Sequence, residues 1–269
     1  MSRLSTVLND LKSKKERGLL CYITAGDPDQ NRTIEIACAL AEAGVDALEI
    51  GIPFSDPLAD GPSIQAASQR ALENGMTVHK TLEVVRAVRA QKPSFPLILM
   101  TYYNPILHYG LEKYAADSAE AGADAHIVTD LTPEEAERWK LASIENKLDT
   151  IFLVAPTSTP ERIKAVSKLC SGFIYCVSRT GVTGARDDVP VELADTVARI
   201  RQHSDLPICI GFGISQPVHV RKIGAFADGV VVGSALVNLI HENRNSPDLL
   251  TCVKEYCETL KSATRSSQA

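Results

Sequence analysis

The chain has 269 residues, 45% hydrophobic and 23% charged, with a formal net charge of −5. That length and balance suit one large α/β domain or two small ones. They give no basic surface for nucleic acid or lipid. The N-terminus, Met1 to Asn9, has no apolar signal core, and no apolar run approaches membrane-spanning length. Seven cysteines are scattered without a C-x-x-C, most of them in apolar runs. They read as reduced core thiols of a cytosolic, cytoplasmic protein.

In chain order, Leu4, Val7, Leu8 and Leu11 mark one face of a first helix, which ends in charges and Gly18. Leu19 to Thr24 is a strand, bounded by the turn Ala25-Gly26-Asp27-Pro28. Thr33 to Ala43 is an amphipathic helix closed by Gly44. The second strand opens the stretch Leu48 to Pro62. Here Leu48 and Ile50 point to one side, and Ala47, Glu49 and Gly51 to the other. Helices follow at Ser63–Asn74 and Thr77–Ala90, then strand three at Leu97–Tyr102. Next come a loop at Tyr103-Asn104-Pro105, a helix at Leu111–Ala121 and strand four at Ala125–Val128. Thr132-Pro133-Glu134-Glu135 is a capping box that predicts a helix start. Strand five is Thr150–Val154, and Thr159-Pro160 starts the next helix in the same way. Strand six is Gly172–Val177. A long polar loop, Ser178 to Asp188, precedes a helix over Val191–His203. Strand seven is Ile208–Gly211, with a helix over Pro217–Ile223, and strand eight is Gly229–Val232, with Ser234 opening a short helix. A last helix spans Leu249–Leu260, and the polar tail frays from about residue 262.

Eight apolar strands, each followed by helix, in this length predict a (β/α)₈ TIM barrel with an extra N-terminal helix and extra helices. Without a composition break or linker, residues 1–269 read as a single domain. A doubly wound sheet would need a Gly-rich turn after strand one, which Gly26-Asp27-Pro28 is not.

Barrel chemistry sits at the C-terminal strand ends. Glu49 falls there among small same-face neighbours, and a buried carboxylate is costly unless paired, protonated or in use. No Lys or Arg occurs in strands one to five, which weakens a structural ion pair as its explanation. Asp60 follows on a loop stiffened by Pro53, Pro57 and Pro62, so two acids approach one space. Asp-Gly is also an ordinary turn dipeptide. Asp130 reads as a backbone partner ahead of the next helix. Tyr102 and Tyr175 are either core aromatics or site residues. Gly213, Gly233 and Ser234, after strands seven and eight, form the usual barrel phosphate cradle. The segment Arg179 to Arg186 reads as a lid. The histidines lack metal-ligand spacing, Ser178 and Ser234 lack a His partner, and no lysine lies in a strand. These absences disfavour a metal site, a serine nucleophile and a Schiff-base aldolase.

The run LEIGIPFSDPLADGP from Leu48 to Pro62 resembles the signature of the tryptophan synthase alpha chain family. Tyr22 to Pro28, Met100 to Pro105, Ala155 to Ser158, Ser178 to Gly184 and Gly211 to Ser215 resemble that family in the same order. The resemblance implies cleavage of indole-3-glycerol phosphate to indole and glyceraldehyde 3-phosphate. It also implies a β chain that carries pyridoxal phosphate (PLP) as partner in an α₂β₂ assembly, with no cofactor in this chain. By the same resemblance Glu49 is the catalytic acid–base, and Asp60 holds the indole N–H. Thr183 is the lid residue that orders Asp60. Tyr175 lies at the site and Phe212 borders the indole, and Gly184, Gly213, Gly233 and Ser234 hold the phosphate. Tyr102, from its place at a strand end, joins Tyr175, Phe212 and Thr183 as a substrate-binding candidate. Asp56 and the prolines beside it become a surface for the partner. The match departs at Thr129 and Thr132, where apolar residues and a proline are expected. Its rivals are another phosphate-binding barrel enzyme, a non-catalytic activator subunit and a free-standing indole-producing lyase.

Overall fold

A computed structural model of the chain describes residues 2–177, 191–211 and 213–265. The chain opens with helix α1 (Arg3–Ser13) and strand β1 (Gly18–Thr24). It continues through α2 (Gln30–Glu42), β2 (Ala47–Gly51), α3 (Pro62–Glu73), α4 (Val78–Gln91) and β3 (Leu97–Thr101). Then come α5 (Tyr103–Tyr109), α6 (Leu111–Ala121), β4 (Ala125–Val128), a 3₁₀ turn (Pro133–Glu135), α7 (Glu137–Glu145), β5 (Asp149–Ile151) and β6 (Leu153–Val154). The last part holds α8 (Pro160–Leu169), β7 (Ile174–Val177), α9 (Val191–Arg201), β8 (Ile208–Gly211), α10 (Pro217–Gly224), β9 (Gly229–Val232), α11 (Ser234–Glu242) and α12 (Leu249–Ser262).

The strands form one parallel sheet in the order β5-β4-β3-β2-β1-β9-β8-β7-β6. Its two ends, β5 and β6, are consecutive pieces of one stave, so the sheet closes on itself as a (β/α)₈ barrel. The stave is interrupted at Phe152, whose N–H turns to the Cys170 sulfur at 3.2 Å. The expected strand over Thr150–Val154 is therefore two short segments.

Side-chain parity sorts the core into two layers. Leu48 and Ile50 of β2 pack outward with Leu97, Leu99 and the helices. Inside the barrel Leu20, Ala47, Ile98, Ala125, Ile127, Ile151, Phe173, Cys209 and Val231 pack together with Leu4, Leu8 and Leu11 of α1. Helix α1 lies across the N-terminal strand ends. Ser2 bonds Asp149 there, and Arg3 bonds Asp124 at 2.9 Å. The space beside Gly18 is filled by Leu8 and Leu11.

Three local expectations are corrected. Tyr103-Asn104-Pro105 is the first turn of α5 rather than a loop, with Asp130 Oδ1 accepting from the Tyr103 N–H at 2.7 Å. Asp130 thus caps the preceding stave's helix, not its own. The helix expected from Thr132 begins as a 3₁₀ turn and becomes α-helical only at Glu137. There the Thr132 hydroxyl bonds the Glu135 carboxylate at 3.3 Å instead of capping the backbone. In the stretch expected to fray, Ala263 and Thr264 are buried, and the Thr264 carbonyl accepts from the Arg17 N–H at 3.3 Å, while residues 266–269 lie outside the described residues. The described cysteines are free thiols, all buried except the half-buried Cys252.

Candidate active site

Strand β2 places Glu49 inside the barrel, one pleat above Ala47 and one below Gly51. Its register neighbours are Tyr22 on β1 and Ile98 on β3. The carboxyl group is fully buried, and among the described residues neither oxygen has a hydrogen-bond partner. Burial alone pushes its pKa up to about 8, so at neutral pH Glu49 is a carboxylic acid that carries its proton.

Asp60 sits half-buried on the loop between β2 and α3. Burial raises its pKa to about 6, and a hydrogen bond from the Tyr102 hydroxyl pulls in the opposite direction. At neutral pH it is largely a carboxylate. Two acids of one site are thus held apart in protonation by their surroundings. Tyr102, at the end of β3, does more than donate to Asp60. Its hydroxyl accepts from the Ala59 N–H at 2.9 Å, and its ring lies 5.4 Å from that of Phe54. One side chain therefore holds both ends of the loop that presents the second acid.

Tyr22 and Tyr175 face the same space. Burial first, and then the acids nearby, raises both phenol pKa values above the ordinary range, so both hydroxyls stay neutral. Each needs a neighbouring glycine. A Cβ on Gly51 would fall 2.0 Å from the Tyr22 hydroxyl oxygen, and one on Gly211 would fall 2.3 Å from that of Tyr175. Tyr22 also touches the Thr24 hydroxyl at 3.3 Å. Ile64 of α3, Val237 of α11, Ala67 and Met100 pack around Tyr22 as a small apolar cluster beside the acids. The sequence marks Tyr22 and Gly211 as strand-end residues, but not Ile64, Met100 or Gly51 as site-forming ones. For Met100 the usable signal was its inward parity on β3.

After β8 the chain turns at Gly213, which takes φ +36° and has open space where a side chain would stand. After β9, Gly233 precedes Ser234, the first residue of α11. Gly213, Gly233 and Ser234 accordingly follow adjacent staves at one end of the barrel. Backbone N–H groups at a helix N-terminus beside glycines suit an anion. Thr183, Gly184 and Phe212 lie outside the described residues, as does the segment read as a lid. Among the described residues no cluster of His, Cys, Asp and Glu could hold a metal ion. No described helix is long and apolar enough to cross a membrane.

A family model, "Tryptophan synthase alpha chain", matches residues 8–265. The chain belongs to that family. A tryptophan synthase alpha chain of Geotalea uraniireducens is 51% identical over 244 residues, which is 91% of each chain. One of Desulfatibacillum aliphaticivorans is 48% identical over 98% of this chain and all of its own length, 100%. Among solved structures, tryptophan synthase subunit alpha of Legionella pneumophila superposes with a TM-score of 0.91 at 37% identity over 98% of both chains. Tryptophan synthase of M. tuberculosis in its aminoacrylate-bound form superposes with a TM-score of 0.89 at 36% identity, over 98% of this chain and 100% of that one. The family is a carbon–carbon lyase family that cleaves indole-3-glycerol phosphate, works with a beta subunit, and leaves PLP to that subunit.

Proposed function

We propose that Glu49 and Asp60 divide the acid–base work of indole-3-glycerol phosphate cleavage in this chain. Breaking the bond at indole C3 requires a proton at that carbon, which turns the ring into a cationic indolenine. Glu49, protonated at neutral pH with its pKa about 8, delivers it. Asp60, ionised above about 6, accepts the ring N–H and stabilises the charge that develops there. As the carbon–carbon bond opens, the glycerol hydroxyl loses its proton and becomes the aldehyde. The Glu49 carboxylate, left without its proton by the first step, takes it up. Indole and glyceraldehyde 3-phosphate leave, and Glu49 is ready for another turn.

Tyr22, Tyr175 and the apolar cluster at Ile64 and Met100 receive the indole ring, with Phe212 at its border. Gly184, Gly213, Gly233 and Ser234 hold the phosphate. Remote anchoring of this kind positions the reacting carbon without contributing to the chemistry itself. Thr183 closes over the site and orders Asp60. The single observation that carries this reading is Glu49, a wholly buried carboxyl group whose two oxygens have no partner among the described residues, at the mouth of an otherwise apolar barrel. A residue type this costly to bury without a partner is explained by the proton it supplies.

The chain acts as a single barrel domain in the cytoplasm, joined to a PLP-dependent beta chain in an α₂β₂ assembly that takes the indole onward. The loop bearing Asp60 supports that docking surface: Leu58 is 93% exposed beside exposed Asp56. An indole-release assay on indole-3-glycerol phosphate tests the reading, with the chain alone and with added beta chain. Indole formation that rises on adding the partner is expected. Absence of indole in both cases would overturn the catalytic assignment, and substantial release indifferent to the partner would overturn the coupled assembly.

A further inference from the structure

The loop between β8 and α10 carries Gly213, and its downstream half is held in an unusual way. Ile214 is buried at 2% exposure and anchors the loop to the core. Ser215 follows, and both of its backbone groups are engaged by side chains. Its N–H donates to His219 Nδ1 over a long 3.4 Å, in the first turn of α10. Its carbonyl accepts from the Tyr256 hydroxyl at 3.0 Å, which reaches in from α12. Two helices thereby grip one residue of the loop through the peptide groups on either side of it.

His219 is itself only partly satisfied. Accepting at Nδ1 puts the proton of the neutral ring on Nε2. Nε2 is buried and has no hydrogen-bond partner among the described residues. A buried donor left without an acceptor is destabilising, so an apolar side chain would serve the core better at this position. The group retained at that cost is the acceptor for the Ser215 N–H. Among the described residues nothing lies within 4 Å of where a Cβ on Gly213 would stand, so no side chain braces that face of the glycine. On its downstream side the held residues are the buried Ile214 and the doubly bonded Ser215.

We propose that His219 and Tyr256 are positioning residues for phosphate binding: they clamp Ser215 so that Gly213 presents its backbone to the phosphate monoester of the substrate. The inference rests on the phosphate reading of Gly213, Gly233 and Ser234. Neither side chain touches the substrate. His219 acts from within α10 and Tyr256 from α12, near the end of the chain.

The test uses the full chain and its variants His219→Leu, His219→Asn, Tyr256→Phe and Ser234→Asp. It reads kcat and KM for indole-3-glycerol phosphate, and the inhibition constant of inorganic phosphate as a competitor. His219→Leu and Tyr256→Phe are expected to raise KM and the phosphate inhibition constant about tenfold, or ~1.4 kcal/mol, with kcat within about twofold of the parent. His219→Asn, whose amide oxygen stands where Nδ1 stands, recovers most of the loss. Ser234→Asp sets a carboxylate against the phosphate and abolishes the competition. If Ser234→Asp does so while His219→Leu and Tyr256→Phe leave phosphate binding unchanged, the clamp is wrong and the cradle stands. If phosphate competes equally against Ser234→Asp, the cradle reading falls and the clamp with it. A fall in kcat at unchanged KM in Tyr256→Phe assigns that residue an ordinary structural role and also overturns the proposal. Should His219→Leu not fold, Tyr256→Phe and His219→Asn carry the decision.

Discussion

Replacing Glu49 by Gln changes both the chemistry and the stability of the protein, and the stability change has a pH signature of its own. Below about pH 4.5 the carboxyl is neutral in the folded and unfolded chain, and burying it costs no ionisation energy. Between the ordinary 4.5 and the folded value of about 8, the unfolded chain ionises while the folded chain keeps its proton. Stability therefore falls by about 1.36 kcal/mol for each pH unit in that window and levels off above it. The full separation corresponds to a ceiling of ~5 kcal/mol, and the interval from pH 5 to pH 8.5 to ~4 kcal/mol of it. Glutamine has no such term. The difference in unfolding free energy, Glu49→Gln minus parent, should thus move in favour of the variant by roughly 4 kcal/mol across that interval. Urea unfolding at the two pH values measures it, and an indole-release assay on the same samples should show cleavage reduced by at least about a hundredfold. A stability difference that stays constant within about 1 kcal/mol would refute the buried neutral acid. Near-parental turnover in the variant would refute its catalytic use.

The same two acids should give kcat/KM a bell-shaped pH profile, with an acid limb at about 6 from Asp60 and an alkaline limb at about 8 from Glu49. A flat profile between pH 5 and 9 would sink the division of labour. Tyr102→Phe removes the hydroxyl that bonds Asp60 and the Ala59 N–H, so the acid limb should move upward and kcat/KM should fall about tenfold. Gly211→Ala brings a methyl to 2.3 Å from the Tyr175 hydroxyl, and chemical denaturation should show a loss of about 1–3 kcal/mol along with weakened substrate binding. Arg70 grips the buried Asp27 through two bonds of 2.9 and 2.7 Å, so Arg70→Ala should cost about 3 kcal/mol by the same assay.

The parity of β2 was readable because Ala47, Glu49 and Gly51 alternate with Leu48 and Ile50, and inside a barrel that alternation leaves Glu49 no exit to solvent. Closure was readable from the count of apolar runs. The interruption at Phe152 was not, because it depends on a sulfur from Cys170 that is near only in three dimensions. Thr132 misled for a related reason. Its motif is local, yet its hydroxyl found the Glu135 side chain before the backbone did. The role of Tyr102 was only half legible: its place at a strand end marked it, but its grip on Ala59 and Asp60 joins residues more than forty positions apart. The dependence of Tyr22 on Gly51 likewise belongs to neighbouring strands. It becomes visible only once their register is known.

Helix α1 has a consequence for traffic. With Leu4, Leu8 and Leu11 wedged into the N-terminal end of the staves, the barrel is a blind well with a stoppered floor. A substrate enters and an indole departs on the same side, past the loop that carries Asp60 and exposed Leu58. A partner seated over that rim would meet every indole molecule as it left. A contact made before the chain's twentieth residue thus sets the direction in which the product can be handed on.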